Sequence, residues 1–366
     1  MIPIARPILG DEEFEAARQV IASGMLAQGP KVKAFEEAFA RDVGRKDGIA
    51  VANGTVALHL ALLAHGIKSG HEVVIPPLTF FATASTVLMS GAKPVFVDVD
   101  QSTYNVDPTK VAKALTAKTA AIMPVHLYGQ TADMDPIFEA ARNRDIPVIE
   151  DAAQAHGAEY HGKKAGNLGD TACFSFYATK NVTTGEGGMV VTDDANIAER
   201  CRLLRDHGQV SKYEHVLVGY NYRMTEIAAA IGLVQLRNLE SWVKQRRANA
   251  AALTKGLDGI EGLVPPAEGN RMVHSYYQYV VRREDPFPLS REDIVRILTE
   301  EGIGCRPSYP KPLYKQKALN DLRIKGRCSV AEDVVPRLFE LPVHPGVGPG
   351  DLDRIIEAVE RLATPA

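Results

Sequence analysis

From about residue 48 the chain alternates short apolar, β-branched runs with stretches whose apolar positions recur at helical spacing. GIAVANG (48–54) leads into TVALHLALLAHGI, where Val56, Leu60 and Leu63 fall on one helical face. EVVIPP, KPVFVDVD, AAIMPVHLYG and IPVIEDAAQ follow in order, separated by helix-compatible segments such as FFATASTVLMSG and MDPIFEAARNRD. This rhythm predicts a mostly parallel sheet covered by helices. TACFSF and GGMVVTDD, divided by a loop rich in Gly and Thr, extend the same sheet. Over roughly 223–258 the pattern turns helical, and the rest mixes shorter strands and helices (SYYQYVVRRE, SREDIVRILTEEGIG, DLDRIIEAVERLA). The organisation expected is a large α/β domain over 12–240 and a small α+β domain over 241–366, with segment 1–11 packed nearby.

Composition narrows the classes of function. The chain has 366 residues, 45% of them hydrophobic and 24% charged, enough for one large core and a smaller one. Lys and Arg total 42 against 45 Asp and Glu, a net charge of -3, so no nucleic-acid partner is expected. No stretch stays apolar for the roughly 18 residues of a membrane helix, and the N-terminus lacks a continuous apolar leader, so the expectation is a cytoplasmic protein with no membrane partner. Cys173, Cys201, Cys305 and Cys328 form no CxxC pair and the ten histidines no HExxH spacing, so no metal site is expected.

Three features carry candidate chemistry. Lys180 lies just past the apolar run TACFSF and just before Thr183, Thr184, Gly185, Gly187 and Gly188, where small residues let a ligand approach the backbone. A lone loop lysine is usually a solvated charge; its company sets this one apart. The strand IPVIEDAAQAHG ends in Glu150 and Asp151, and a carboxylate there is costly to bury without a cation, although Asp151 equally fits a helix N-cap before AAQAHG. Asn53, Gly54 and Thr55 close the first strand and open a helix, so their N–H groups and the Thr55 hydroxyl suit an anion; Ser175 offers another hydroxyl. A buried acid, a lysine and a phosphate cradle together are what pyridoxal 5'-phosphate (PLP) requires.

The blocks AVANGTVALHLAL, EVVIPPLTFFATASTVLMSGAKPVFVDVD, IPVIEDAAQAHGAEYHGKKAGNLGDTACFSFYATKNVTTGEGGMVVTDD and GYNYRMTEIAAAIGLVQL resemble the DegT/DnrJ/EryC1/StrS nucleotide-sugar aminotransferases, in order over roughly 2–350. The resemblance implies the PLP-dependent transferase fold of type I, with a mostly parallel seven-stranded sheet between helices and a smaller α+β domain. It implies that Lys180 is the Schiff-base lysine, Asp151 the partner of the pyridine nitrogen and Gln154 the side chain near the ring hydroxyl. Gly54, Thr55 and Ser175 match phosphate contacts, Phe80 an aromatic ring against the cofactor face, and Asn221 a phosphate ligand from the neighbouring subunit of a homodimer with shared sites. Glutamate would be the donor, pyridoxamine 5'-phosphate the form carrying the nitrogen, and a nucleotide-linked keto-sugar the acceptor, in amino-sugar or polysaccharide biosynthesis.

Within that family TTGEGG and GYNYRMTE resemble the version found among enzymes that aminate C4, such as perosamine synthases, with a 4-keto-6-deoxy sugar expected over a 3-keto one. One loop departs from the family's His-Tyr pattern: GIGCRPSYPKPLYKQ carries Ser308, Tyr309 and Tyr314. Arg306 and Arg223 are candidates for diphosphate or donor carboxylate, or equally structural ion-pair partners. Lysine at 180 argues against the sugar 3-dehydratases of this fold, which carry histidine there. Intact Lys180, Asp151 and Gln154 argue against a non-catalytic PLP-binding regulator, and ANGTVAL in place of GxGxxG against a nicotinamide dehydrogenase.

Overall fold

The computed structural model describes residues 1–363. Seven strands form the large sheet: β1 (Asp47–Val51), β2 (Glu72–Ile75), β3 (Lys93–Phe96), β4 (Thr119–Ile122), β5 (Ile149–Asp151), β6 (Thr171–Ser175) and β7 (Gly188–Thr192). They lie in two hydrogen-bonded groups, β3-β2-β4 and β5-β6-β7-β1. Parallel bridges Ile122 to Val148 and Val125 to Asp151 join the groups into one seven-stranded layer. Only β7 runs against its neighbours β1 and β6. The sequence reads as strand here because both faces are covered: all five residues of β7 and four of five in β6 are buried. Helices Pro30–Val43, Gly54–Ala64 and Ala82–Met89 provide part of that cover.

This topology places the candidate chemistry at one edge. Parallel strands β1, β5 and β6 all point their carboxyl ends the same way, and the register aligns Val51, Gly188 and Ser175 in one row. Open α/β sheets bind ligands at that edge.

A second, antiparallel sheet pairs Leu263–Val264, Tyr279–Arg283, Leu338–Leu341 and Arg306–Pro307. Helices Arg291–Glu300 and Pro349–Ala363 pack on it. The 32-residue helix Glu226–Leu257 starts at its Thr225 cap and runs unbroken through residue 240, where the sequence places a domain boundary. Its Ala229, Leu239 and Val243 join Phe35 and Phe39 in one core, whereas Ala250, Leu253 and Leu257 join the C-terminal core. Ile2 belongs to that second core too, bridging to Ile303, so the N-terminal segment is tied to the C-terminal sheet. Among the described residues no helix is long and apolar enough to cross a membrane, and no group of three or more His, Cys, Asp or Glu could hold a metal ion.

Candidate active site

The two acids that end β5 point to opposite faces, as alternation along a strand requires, and they have different tasks. Glu150 is fully buried and accepts N–H groups from Gly166 (2.7 Å), Leu168 (2.8 Å) and Gly169 (2.6 Å). His126 completes the set with Nε2 at 2.9 Å. Because His126 Nδ1 accepts the Ala132 N–H, its other nitrogen is the one that donates to Glu150. Burial opposes the charge on Glu150, but the His126 bond and charge and the Gly169 and Gly166 N–H groups outweigh it and lower its pKa. Glu150 is thus a structural anchor for the 166–169 turn.

Glu150→Ala is expected to cost roughly 3 to 5 kcal/mol, the usual loss on breaking a buried charged network. A depressed carboxylate stabilises the fold fully above the unfolded carboxyl pKa and loses that contribution as pH falls through the folded value. Wild type and variant should therefore converge in denaturant stability on acidification; an equal gap at all pH values would refute this role.

Asp151 is buried without such help. Its Oδ2 accepts the Thr83 hydroxyl at 2.7 Å and its Oδ1 the Ala153 N–H at 3.3 Å. Burial raises its pKa against the opposing pull of Thr83, Ala153 and the Lys180 charge. No helix follows it, so it is not an N-cap; the chain turns instead through 152–158. A buried acid held by two hydrogen bonds and lacking an ion-pair partner among the described residues suits an incoming cation.

Lys180 sits in a tight turn, its N–H donating to Tyr177 O at 2.9 Å. Its Nζ lies 4.2 Å from the centre of the Tyr277 ring. Tyr277 is itself held by a 2.9 Å hydrogen bond between its hydroxyl and Thr179 Oγ1. Beside the lysine lies His156, whose pKa burial and the Lys180 charge push down to about 3, so its ring is neutral. It packs against Phe174 and Phe176 at 5.2 and 5.6 Å.

The cradle is built from close approaches. A Cβ on Gly54 would lie 2.6 Å from Ser175 Cβ, so only glycine lets this helix start against β6. Asn53 caps the helix through Oδ1 and the Val56 N–H (2.9 Å), while the Gly54 and Thr55 N–H groups bond to nothing among the described residues. Ser175 Oγ, on the facing strand, accepts only a long 3.4 Å bond from the Tyr177 N–H. Phe80 is 58% exposed, which removes core packing as its role. Asn221 is exposed, bridged through its backbone to Asp206.

Gln154 uses both ends of its amide: Oε1 accepts the Tyr128 N–H at 2.9 Å and Nε2 donates to the Tyr309 hydroxyl at 2.9 Å. The divergent loop therefore enters the site through Tyr309, with Ser308 O accepting the Tyr128 hydroxyl. Gly129 makes this possible: at φ +106 a Cβ there would lie 2.7 Å from Tyr277 N. Tyr314 does not join. Its hydroxyl bonds Glu332 at 2.8 Å and Cys328, away from Asp151 and Lys180. Arg223 pairs with Asp206 and Arg306 with Glu340 (2.8 Å), so each already has an acid. Thr83, Tyr277 and Tyr128 carry no sequence signal of their own and are placed here by contacts across 26 to 97 positions.

These residues fit PLP: an acid for a ring cation, an amine, and free N–H groups opposite a hydroxyl across a gap kept open by Gly54. The comparisons agree. The model of the DegT/DnrJ/EryC1/StrS aminotransferase family matches residues 7–360. A pleiotropic regulatory protein of Geobacillus stearothermophilus is 41% identical over 96% of this chain and 94% of its own length. A GDP-perosamine synthase of Caulobacter vibrioides is 41% identical over 99% and 98%. The PLP form of Spr1654 from Streptococcus pneumoniae superposes with a TM-score of 0.92 at 29% identity, covering 99% of this chain and all of that one. The chain belongs to the DegT/DnrJ/EryC1/StrS aminotransferase family and is a PLP-dependent aminotransferase of fold type I.

Proposed function

We propose that the protein moves the amino group of L-glutamate onto the keto carbon of a 4-keto-6-deoxy sugar nucleotide, working as a homodimer with shared sites. The observation that carries the transfer chemistry is a buried Asp151, unpaired among the described residues and held by Thr83, within the electrostatic reach of Lys180 at the carboxyl edge of the sheet. The choice of acceptor is supported by TTGEGG at 183–188 and by the 41% identity to a GDP-perosamine synthase.

PLP, when bound, supplies an electron sink conjugated to the carbon that loses or gains a proton. Asp151 would hold a proton at the ring nitrogen, and Gly54, Thr55 and Ser175 would bind the phosphate. Gln154 would meet the ring hydroxyl and Phe80 would cover one ring face. Lys180 Nζ would take the proton from the donor's Cα and later deliver one to the acceptor carbon. Asn221 would reach the phosphate in the partner subunit's site. Glu186 is exposed beside Gly185, at φ +81, in the turn that follows Lys180, where its carboxylate is open to a sugar hydroxyl.

The test is a coupled assay with glutamate against UDP-, GDP- and dTDP-linked 3-keto and 4-keto sugars, with products read by NMR. Amination at C4 of a 6-deoxy sugar is the expected result. Amination at C3 with no turnover of any 4-keto sugar would refute the acceptor while leaving the aminotransferase intact. A preference between the two worth only about 1 to 3 kcal/mol is expected if one methylene of reach at Glu186 makes it.

A further inference from the structure

Four arginines are buried among the described residues, and three have an acid: Arg205 pairs with Glu36, Arg282 with Glu284 and Arg291 with Glu292. Arg246, 5% exposed on the long helix, forms no ion pair; Glu340, already bonded to Arg306 and Gln278, acts on it only at longer range. Its Nη1 donates to the carbonyls of Tyr276 (3.1 Å) and Tyr277 (3.3 Å), while its Nε has no partner. Burial lowers its pKa only to about 10, so it stays charged at neutral pH. A buried guanidinium without an ion pair is costly, and an anionic ligand at its open Nε would relieve that cost.

Its surroundings say which anion. Arg246 lines a recess with Lys180, Arg6, Asn181, Gln235 and Trp242; three of its ten lining residues are cations and none is an acid. Arg6 is exposed and makes no side-chain hydrogen bond among the described residues, so it is free to turn toward a ligand. Arg6 and Arg246 line the same recess, and both charges act on His344 beside it. Asn181 Oδ1, on the same wall, is also unpartnered and offers an acceptor to an amine. The recess is about 10 Å³, room for a single ligand oxygen.

We propose that Arg246 and Arg6 form the subsite for the α-carboxylate of the donor amino acid, beside Lys180. The inference rests on the aminotransferase reading and extends it to the donor. The donor's amine must reach the carbon that Lys180 serves, and its carboxylate is only two bonds away, so an oxygen-sized cationic recess against Lys180 fits it. The diphosphate of a sugar nucleotide is bulkier and lies several bonds from the keto carbon. Arg246, fixed by two carbonyls, presents Nε as a preorganised donor, and mobile Arg6 closes the charge pair.

The experiment uses the holoenzyme in single turnover, without acceptor, following the cofactor spectrum with L-glutamate and with its α-carboxamide, L-isoglutamine. Wild type is expected to favour glutamate by at least about 100-fold in efficiency, and Arg6→Ala and Arg246→Lys to lose about tenfold or more on glutamate with a reduced preference. Affinity for 2-methylglutamate, which has no Cα proton to lose, should weaken by a similar factor in calorimetric titration, a readout independent of turnover. Thermal unfolding of Arg246→Lys controls for its carbonyl contacts, and exposed Arg6 provides the variant that leaves the core untouched. Equal use of glutamate and isoglutamine by wild type, or unchanged glutamate kinetics and binding in a folded Arg6→Ala, overturns the subsite. An effect confined to the sugar nucleotide's KM overturns it in favour of diphosphate. A wild type that accepts no nitrogen from glutamate would instead sink the donor reading itself.

Discussion

Asp151→Asn is expected to lower the rate of amino transfer by about 10³-fold, on the order of 4 kcal/mol of barrier. Asparagine nearly matches aspartate in shape, so its oxygen still accepts the Thr83 hydroxyl, now at 2.7 Å from Asp151 Oδ2, and the packing survives. What goes is the negative charge that would keep a proton on the ring nitrogen of bound PLP, and with it the stabilisation the cofactor would lend to electron density drawn from the reacting carbon. The stability readout separates this from a structural role. Burial raises the Asp151 pKa, and an acid with a raised folded pKa destabilises the fold progressively as pH rises from its unfolded value through its folded one. The cofactor-free variant should therefore be at least as stable as the cofactor-free wild type at neutral pH, while its activity collapses. An enzyme within tenfold of wild type would show that Asp151 merely anchors the turn after β5.

Lys180→Ala is expected to be the more damaging change, at roughly 10⁴-fold or beyond, since one amine would both hold the cofactor and carry the proton. Its surroundings are consistent with that role: Nζ rests 4.2 Å from the Tyr277 ring centre, half-buried, and its charge helps keep the buried His156 ring neutral. Borohydride reduction of the wild type should attach the cofactor to Lys180 and to no other lysine, read by peptide mass. The same variant tests the shared site. If Asn221 serves the partner subunit, mixing inactive Lys180→Ala with inactive Asn221→Ala should restore activity, because a mixed dimer contains one site intact in both residues. No recovery after confirmed subunit exchange would place Asn221 outside the neighbour's site.

The strand and helix order was legible because it rests on local periodicity, and the same holds for Asp151 at a strand end and Lys180 in a run of small residues. The residues that surround them were not. Thr83 meets Asp151 across 68 positions and Gln154 meets Tyr309 across 155, and no local pattern marks either partner. Tyr309 and Tyr314 stand alike in one loop, yet the first bonds Gln154 and the second bonds Glu332.

Charge shows the division most clearly. Sequence by itself determined the sheet-and-helix order, the edge at which the site lies and the residue types for PLP chemistry, because spacing and side-chain type are local properties of the chain. Only the tertiary structure decided which charges are free. Arg223 and Arg306, both candidates on sequence, are paired with Asp206 and Glu340, whereas Arg246, one basic residue in a helical run, forms no ion pair among the described residues and leaves its Nε without a partner. Whether a charge is paired depends on which side chains long-range folding brings within a few ångströms, and that neighbourhood is written in the packing of the whole chain.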